Sequence, residues 1–328
     1  MNNVATTLAS IKSVKISAAK INDLVLATFI PAVGLAIFLL FWQVGAQSIK
    51  TSLGTFPGPK EVLVQWNNLV DEHKAERQRE HEFYARQEKR NAEALAQDPN
   101  AEIKQRKFSG HPTFFDKIQT SLITVLSGFF LATFIAIPVG IVIGLNQTLY
   151  RAFNPMIQIF KPISPLAWLP LITLVVSSVY TSESPIFQKS FIISLLTVTL
   201  CSLWPTMINT AVGVAGVSKD LVNVSRVLRL SWFTHVRKIV LPSSIPLMFT
   251  GLRLSLGIAW MVLIAAEMLA QNPGLGKFVW DEFQNGSSDS LGRICVAVLT
   301  IGLIGFFLDR SLLAVQSWVN WDKSAVVR

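Results

Sequence analysis

Charge is what this chain has least of. Asp, Glu, Lys and Arg make up 15% of its 328 residues, against about 25% in soluble domains. That shortage excludes an ordinary soluble domain. Cysteine is scarce too. Cys201 and Cys295 both fall in apolar runs, where they read as small buried hydrophobes and not as a disulfide framework. The four histidines, His73, His81, His111 and His235, lie outside those runs. None has metal-ligand spacing with a cysteine or another histidine, so no metal site is expected. No nucleophile–base constellation is present, and the chain is expected to be no enzyme. The stretch GLGKF at 274–278 has the look of a phosphate-binding loop. The pattern G-x-x-x-x-G-K-[ST] would need glycine where Gln271 stands and a hydroxyl where Phe278 stands. The chain therefore shows no means of hydrolysing ATP, and no cofactor is expected in it.

What is abundant is apolar sequence, 51% of the residues. Several uncharged runs exceed the roughly 18 residues that a bilayer span requires. The net charge of +9 does not point to nucleic acid. The positive excess sits mostly in the N-terminus and in the 219–238 segment, the positive-inside pattern of a membrane protein.

Residues 1–23 are polar and form an expected cytoplasmic N-terminus; 24–44 is a first span, too long for a signal-peptide core of about 7–15 residues. Residues 45–117 hold 12 basic and 11 acidic side chains, and a near-neutral loop of this length can lie on the periplasmic side. Within it, 71–98 lacks Gly and Pro and predicts an exposed charged helix. That insertion reads either as a solvated excursion or as a docking arm for an external partner. The remaining spans are 118–145, with Gly140 and Gly144 at a spacing that lets helices approach, then 153–180, 190–217, 245–270 and 294–319. Residues 118–319 form the core domain and 320–328 a cytoplasmic tail. Six spans place both termini in the cytoplasm of a multi-pass inner-membrane protein.

Three features break the apolar pattern. Pro155, Pro162, Pro165 and Pro170 exclude a straight helix through 153–171. Broken backbone at membrane depth belongs where protein or a water-filled cavity satisfies it, so 162–170 is expected to enter the interior or a pathway. Lys161 either snorkels to the inner surface or attracts an anion at the inner mouth. Arg253 and Glu267 are intramembrane charges 14 residues apart, about 21 Å along a helix, too far to pair with each other.

The third feature is the loop at 213–244, which carries five basic residues and one acid. Its stretch KDLVNVSRVLRLSWFTHVRKIVLPSSIP (219–246) has a rough helical stripe and ends at Leu241-Pro242. It resembles the cytoplasmic EAA loop of ABC importer permeases, E-A-A-x-x-x-G followed by I-x-L-P. Ile239-Val240-Leu241-Pro242 matches the end. Asn223-Val224-Ser225 falls on E-A-A and Arg229 on the glycine, and neither matches. RVLRLS, FTGLRLSLGIAW and AAEML, with KPISPLAWLPL at 161–171, are similar to the branch for nitrate, bicarbonate, sulfonate and taurine. RKFSGHPTFFDKIQTSLITVLSGF (106–129) is most like its nitrate-type members.

The resemblance, over about residues 115–320, implies an all-α type I importer permease with six transmembrane helices and a charged insertion after the first. It implies a second permease copy, two cytoplasmic ATPase subunits that bind ATP and Mg, and a periplasmic or lipid-anchored substrate-binding protein. Under it, Asn223, Ser225, Arg226, Arg229, Leu230 and Ser231 are expected at the ATPase, and Leu241 and Pro242 at the exit from the loop. Lys161, Trp168, Trp204, Arg253 and Glu267 are the candidates for a pathway. The expected substrate is nitrate or nitrite; bicarbonate, cyanate and sulfonates are the alternatives. An ion-gradient-driven transporter is the alternative of a different class.

Overall fold

A bilayer offers backbone amides no hydrogen-bond partner, so a run that crosses it must satisfy its own backbone as a helix. The computed structural model describes residues 18–51, 54–98, 103, 105–181 and 186–319, and its long apolar runs are helical throughout. Most of the expected N-terminal segment and all of the tail at 320–328 lie outside the described residues.

The chain divides into two units, 1–63 and 64–328. In the first, α1 (Ala18–Ser48) carries the apolar stretch Phe29–Ser48. Strands β1 (Lys50–Thr51) and β2 (Gly54–Thr55) form a short antiparallel ribbon after it. The Trp42 indole donates to the Pro57 carbonyl at 3.1 Å, folding the TFPGP turn back to α1. Helix α2 (Pro59–Gln97) starts in this unit and runs into the next.

The second unit continues with α3 (Phe114–Leu145), α4 (Gln147–Phe160), α5 (Pro165–Val179) and α6 (Lys189–Ala215). Then come α7 (Lys219–Val227), α8 (Trp232–His235), a π-turn (Val236–Val240), α9 (Leu241–Ala270), α10 (Leu275–Asn285) and α11 (Ser290–Val319). Among the described residues five helices are long and apolar enough to cross a membrane. A sixth span results if α4 and α5, bent by 97°, count as one.

Three details go beyond the expected spans. The connection around Arg151, between the spans expected at 118–145 and 153–180, is helical, because Asn146 caps α4 by accepting from the Thr148 and Leu149 amides. The proline break is narrower than 162–170: it occupies 161–164, since Ser164 caps α5 and Pro165 takes its first turn, where a missing N–H costs nothing. Within 271–293 a further helix forms, α10.

Helices α3, α6 and α9 form the centre, and small residues set how closely they meet. A Cβ on Gly140 would lie 2.8 Å from the Met207 carbonyl oxygen, and one on Gly144 2.6 Å from that of Ala211. Both glycines of the α3 motif therefore face α6 with no room for a side chain. Between α6 and α9 the contact is polar. Pro205 interrupts the α6 backbone ladder, and the Ser255 hydroxyl of α9 enters there, accepting from the Thr206 amide at 3.1 Å and donating to the Ser202 carbonyl. Thr206 Oγ1 adds a bond to it at 2.7 Å.

Gly144→Ala is expected to destabilise the detergent-solubilised protein by about 1–3 kcal/mol, the usual range for overpacking, seen as a lower melting temperature. Gly302→Ala, at a position with nothing within 4 Å, is the control and should not lower it. Equal melting temperatures for the two variants would contradict the packing.

Candidate functional site

The 213–244 loop is a folded element. Ser218 caps α7 by accepting from the Leu221 amide. Helix α7 then stops by a specific device. The Leu230 amide donates to the Ser225 carbonyl and the Arg229 amide to the Arg226 carbonyl, both at 3.1 Å, which is the Schellman pattern of bonds. The residue that closes such a motif takes the left-handed conformation, which usually selects glycine. Arg229 occupies that place with φ +47°. Arg229, which falls on the glycine of the EAA pattern, thus takes a conformation that favours glycine while displaying a guanidinium.

The second half is braced to the first. Ser231 caps α8 by accepting from the Thr234 amide. His235 Nδ1 meets Ser225 Oγ at 2.8 Å, so Ser225 is turned inward and buried, whereas Asn223, Arg226, Arg229 and Ser231 are exposed and Leu230 half-buried. Leu241 and Pro242 stand at the first turn of α9, directly after the π-turn. The chain does not turn away at Pro242. The Leu241 amide bonds back five residues, to Val236, and proline sits at the helix start, where its lack of a donor is tolerated. Val224, Val227, Leu228, Trp232 and Phe233 are all at least half exposed. A cleft of 560 Å³ beneath them is lined by Leu145, Val214, Arg226, Arg229, Trp232 and His235 among others. Apolar side chains beside arginines that form no ion pair among the described residues, on a braced helical element, make a surface suited to a protein partner.

The expected pathway residues fall into three places. Phe160, the last residue of α4, stacks on Trp204 (5.9 Å between centroids, 3° between planes) and on Trp168 (6.1 Å, 26°). Both indole N–H groups are buried with no acceptor among the described residues. Lys161 follows at the break and is exposed. Arg253 is elsewhere, bonded by Nε and Nη2 to the Asp309 carboxylate at 3.1 and 3.3 Å, joining α9 to α11. Sequence reasoning identified Arg253 and missed its partner, because nothing in the spacing pairs residues on two different spans.

Glu267 is fully buried. Ser121 Oγ of α3 lies 2.8 Å from both its oxygens, and the Gly276 amide donates to Oε2 at 2.9 Å. The Leu275 amide in turn donates to Ser121. A Cβ on Gly274 would lie 2.0 Å from Oε1. So the GLG stretch does hold a carboxyl group at a helix N-terminus, where free amides and the helix dipole favour an acceptor. That group is the chain's own Glu267 side chain, and the contact ties α9, α3 and α10 together.

With this geometry in view, the family model described as "Binding-protein-dependent transport system inner membrane component" matches residues 136–321. The bicarbonate transport system permease protein CmpB of Synechococcus elongatus is 34% identical over 88% of this chain and 88% of its own length. The nitrate import permease protein NrtB of the same species is 36% identical over 65% of this chain and 71% of its own. Among solved structures, the MetNI methionine ABC transporter in inward-facing conformations gives a TM-score of 0.54 at 14% identity, over 63% of this chain and 95% of that one. That last likeness is one of fold.

Arg229→Gly should relieve the left-handed cost of about 1 kcal/mol, slowing hydrogen exchange of the α7 C-terminal amides close to fivefold. Arg229→Ala removes the charge but keeps a Cβ, and should bring no such protection. Exchange that is no slower in the glycine variant than in the alanine variant would contradict the assigned conformation.

Proposed function

Because the chain belongs to the binding-protein-dependent transport inner-membrane components, the permease subunits of ABC importers, we propose that it forms the pathway of an ATP-driven importer for a planar three-oxygen monoanion. Membership replaces the ion-gradient alternative: the chain is a non-catalytic membrane subunit, and energy comes from a separate ATPase. The proposed assembly has a second permease copy, two ATPase subunits on the loop side and a substrate-binding protein on the other side, with both termini on the loop side.

The observation that carries this reading is the braced loop, with its left-handed Arg229, exposed apolar rim and basic cleft. The loop leads without interruption into α9, so a displacement of the loop enters a membrane helix directly. Rigid movement of a packed helix is one of the physical means of alternating access.

Nitrate and bicarbonate share a planar shape and a single charge, so one pathway chemistry serves either. Hydrogen-bond donors suit both, and the Trp168–Phe160–Trp204 stack offers two at the bend between α4 and α5. Nitrate is the reading favoured by the 36% identity to the nitrate permease and by the 106–129 segment. The second reading, bicarbonate, is favoured by the extent of the match to that permease, 88% of both chains. Lys161 at the break is proposed to raise the local anion concentration. Arg253 and Glu267, already held by Asp309 and by Ser121 with Gly276, are proposed to position α9.

Deleting the chain should abolish growth on limiting nitrate while growth at low CO2 survives. The reverse outcome selects bicarbonate, and survival of both phenotypes would sink the assignment. In the reconstituted complex, Arg226→Glu should cut uptake at least tenfold while the ATPase continues to turn over. Unchanged uptake would remove Arg226 from the coupling surface.

A further inference from the structure

The helix that opens the second unit has two electrostatically different halves. Its first part is anchored at the end of the unit farthest from the coupling loop. Gln65 donates to Asp289 at 3.0 Å, Trp66 packs edge-on against Phe114 and Phe115, Glu72 pairs with Arg293, and Arg77 pairs with Asp116. Every lysine and arginine between 71 and 80 has a carboxylate partner: Lys74 with Asp71, Arg77 with Glu80 and Asp116, and Arg79 with Glu76.

Beyond residue 80 this changes. The helix continues to Gln97, about 25 Å farther at 1.5 Å per residue. There the helix meets the returning segment at Arg106 and Phe108. The Arg106 amide donates to Gln87 at 2.8 Å, the Phe108 amide to the Tyr84 hydroxyl at 3.2 Å, and Phe108 packs on Phe83 at 5.6 Å. These contacts make helix and return one stiff arm. On it Arg86, Lys89, Arg90, Arg106 and Lys107 are exposed, and none forms an ion pair among the described residues. Two clefts divide them. One of 560 Å³ is lined by Phe83, Arg86, Lys89, Arg90 and Glu93. The other, of 480 Å³, has Arg106 and Lys107 against Glu88, beside Tyr84. Each holds more cations than acids, around an aromatic side chain.

We propose that this distal arm is a docking surface for acidic side chains of the substrate-binding protein, an assignment that rests on the importer reading above. A free monoanion is a poor occupant, because isolated exposed cations are hydrated and screened within about 8 Å at physiological salt. Several carboxylates on one rigid partner meet several cations at once, and complementary charge of that kind governs encounter and register. The fixed base supplies what a flexible charged loop lacks: the partner is held at a constant position relative to the outer ends of α3, α10 and α11. The neutral balance of the whole insertion hid this from sequence, since composition counts charges and not pairs: acids and cations are near parity on both sides of residue 80, and only the fold shows which cations are paired.

The test uses the full complex in nanodiscs of neutral lipid, with its ATPase and its purified substrate-binding protein, and titrates that protein against ATPase stimulation. The triple charge reversal Arg86→Glu, Lys89→Glu, Arg90→Glu should raise the half-saturating concentration about tenfold, as expected for three exposed pairs of a few tenths of a kcal/mol each. Maximal stimulation should be unchanged, and high salt should erase most of the difference. Glu88→Lys with Glu93→Lys should shift the titration the other way, which a misfolded arm would not do. Unshifted titrations in both variants overturn the proposal. So does an effect that appears only when anionic lipid is added, which assigns the arm to the membrane surface. A wild-type complex that no binding protein stimulates brings down the importer reading itself, a result distinct from an insensitive arm.

Discussion

Helix α9 is held at three depths, by small-residue packing near its start and by polar contacts beyond it, and the second unit depends on them. Near its start Ser244 packs against Gly213 of α6. At mid-depth Ser255 completes the α6 backbone where Pro205 breaks it, and Arg253 is clamped by Asp309. At its far end Glu267 lies under the α10 N-terminus and against Ser121. Inside a bilayer the hydrophobic effect does not drive helices together, so small-residue packing and interhelical hydrogen bonds determine register. Each of these contacts allows one register only. Sliding α9 by a residue would strand a buried carboxylate and leave an α6 amide without an acceptor, a cost of several kcal/mol in hydrocarbon.

That constraint gives the coupling role proposed for the loop at 213–244 its meaning. The chain has no phosphate-binding loop, and an importer permease takes its energy from a partner. The loop is short, braced by His235 and Ser225, and enters α9 through a π-turn, the kind of irregular helix found most often at functional sites. A push on a soft loop would be lost in the loop. Here it meets a helix locked to α3, α6, α10 and α11. The same view accounts for Arg229: the left-handed turn is needed to stop α7, and the side chain that fills it adds positive charge at modest conformational cost.

How much of this was legible in the sequence follows from the range of each interaction. Apolar runs and prolines act locally, so the helices and the break after Phe160 could be read directly. The Gly140–Gly144 spacing pointed to close approach, and both glycines do face α6. Contacts between distant segments could not be read: Arg253 with Asp309, Ser255 within α6, and the stack of Phe160 between two tryptophans. Glu267 stood out as an intramembrane acid, and GLGKF as a phosphate loop that failed its pattern. Only the fold shows that the second holds the first. Pro242 was legible as a boundary but not as a helix start, because a π-turn has no composition of its own. In the arm, composition averaged over 45–117 concealed a paired half and an unpaired half.

The most direct test of the central claim, that energy enters through this loop, places one cysteine at Val227, which is 81% exposed, with Cys201 and Cys295 replaced by serine. A short bifunctional thiol reagent is then applied to the assembled complex, whose ATPase carries single cysteines on its membrane-facing side. The account predicts a covalent link from residue 227 to the ATPase and a halt in transport that reducing a cleavable linker reverses. A complex that transports normally while residue 227 links to no ATPase cysteine would contradict it.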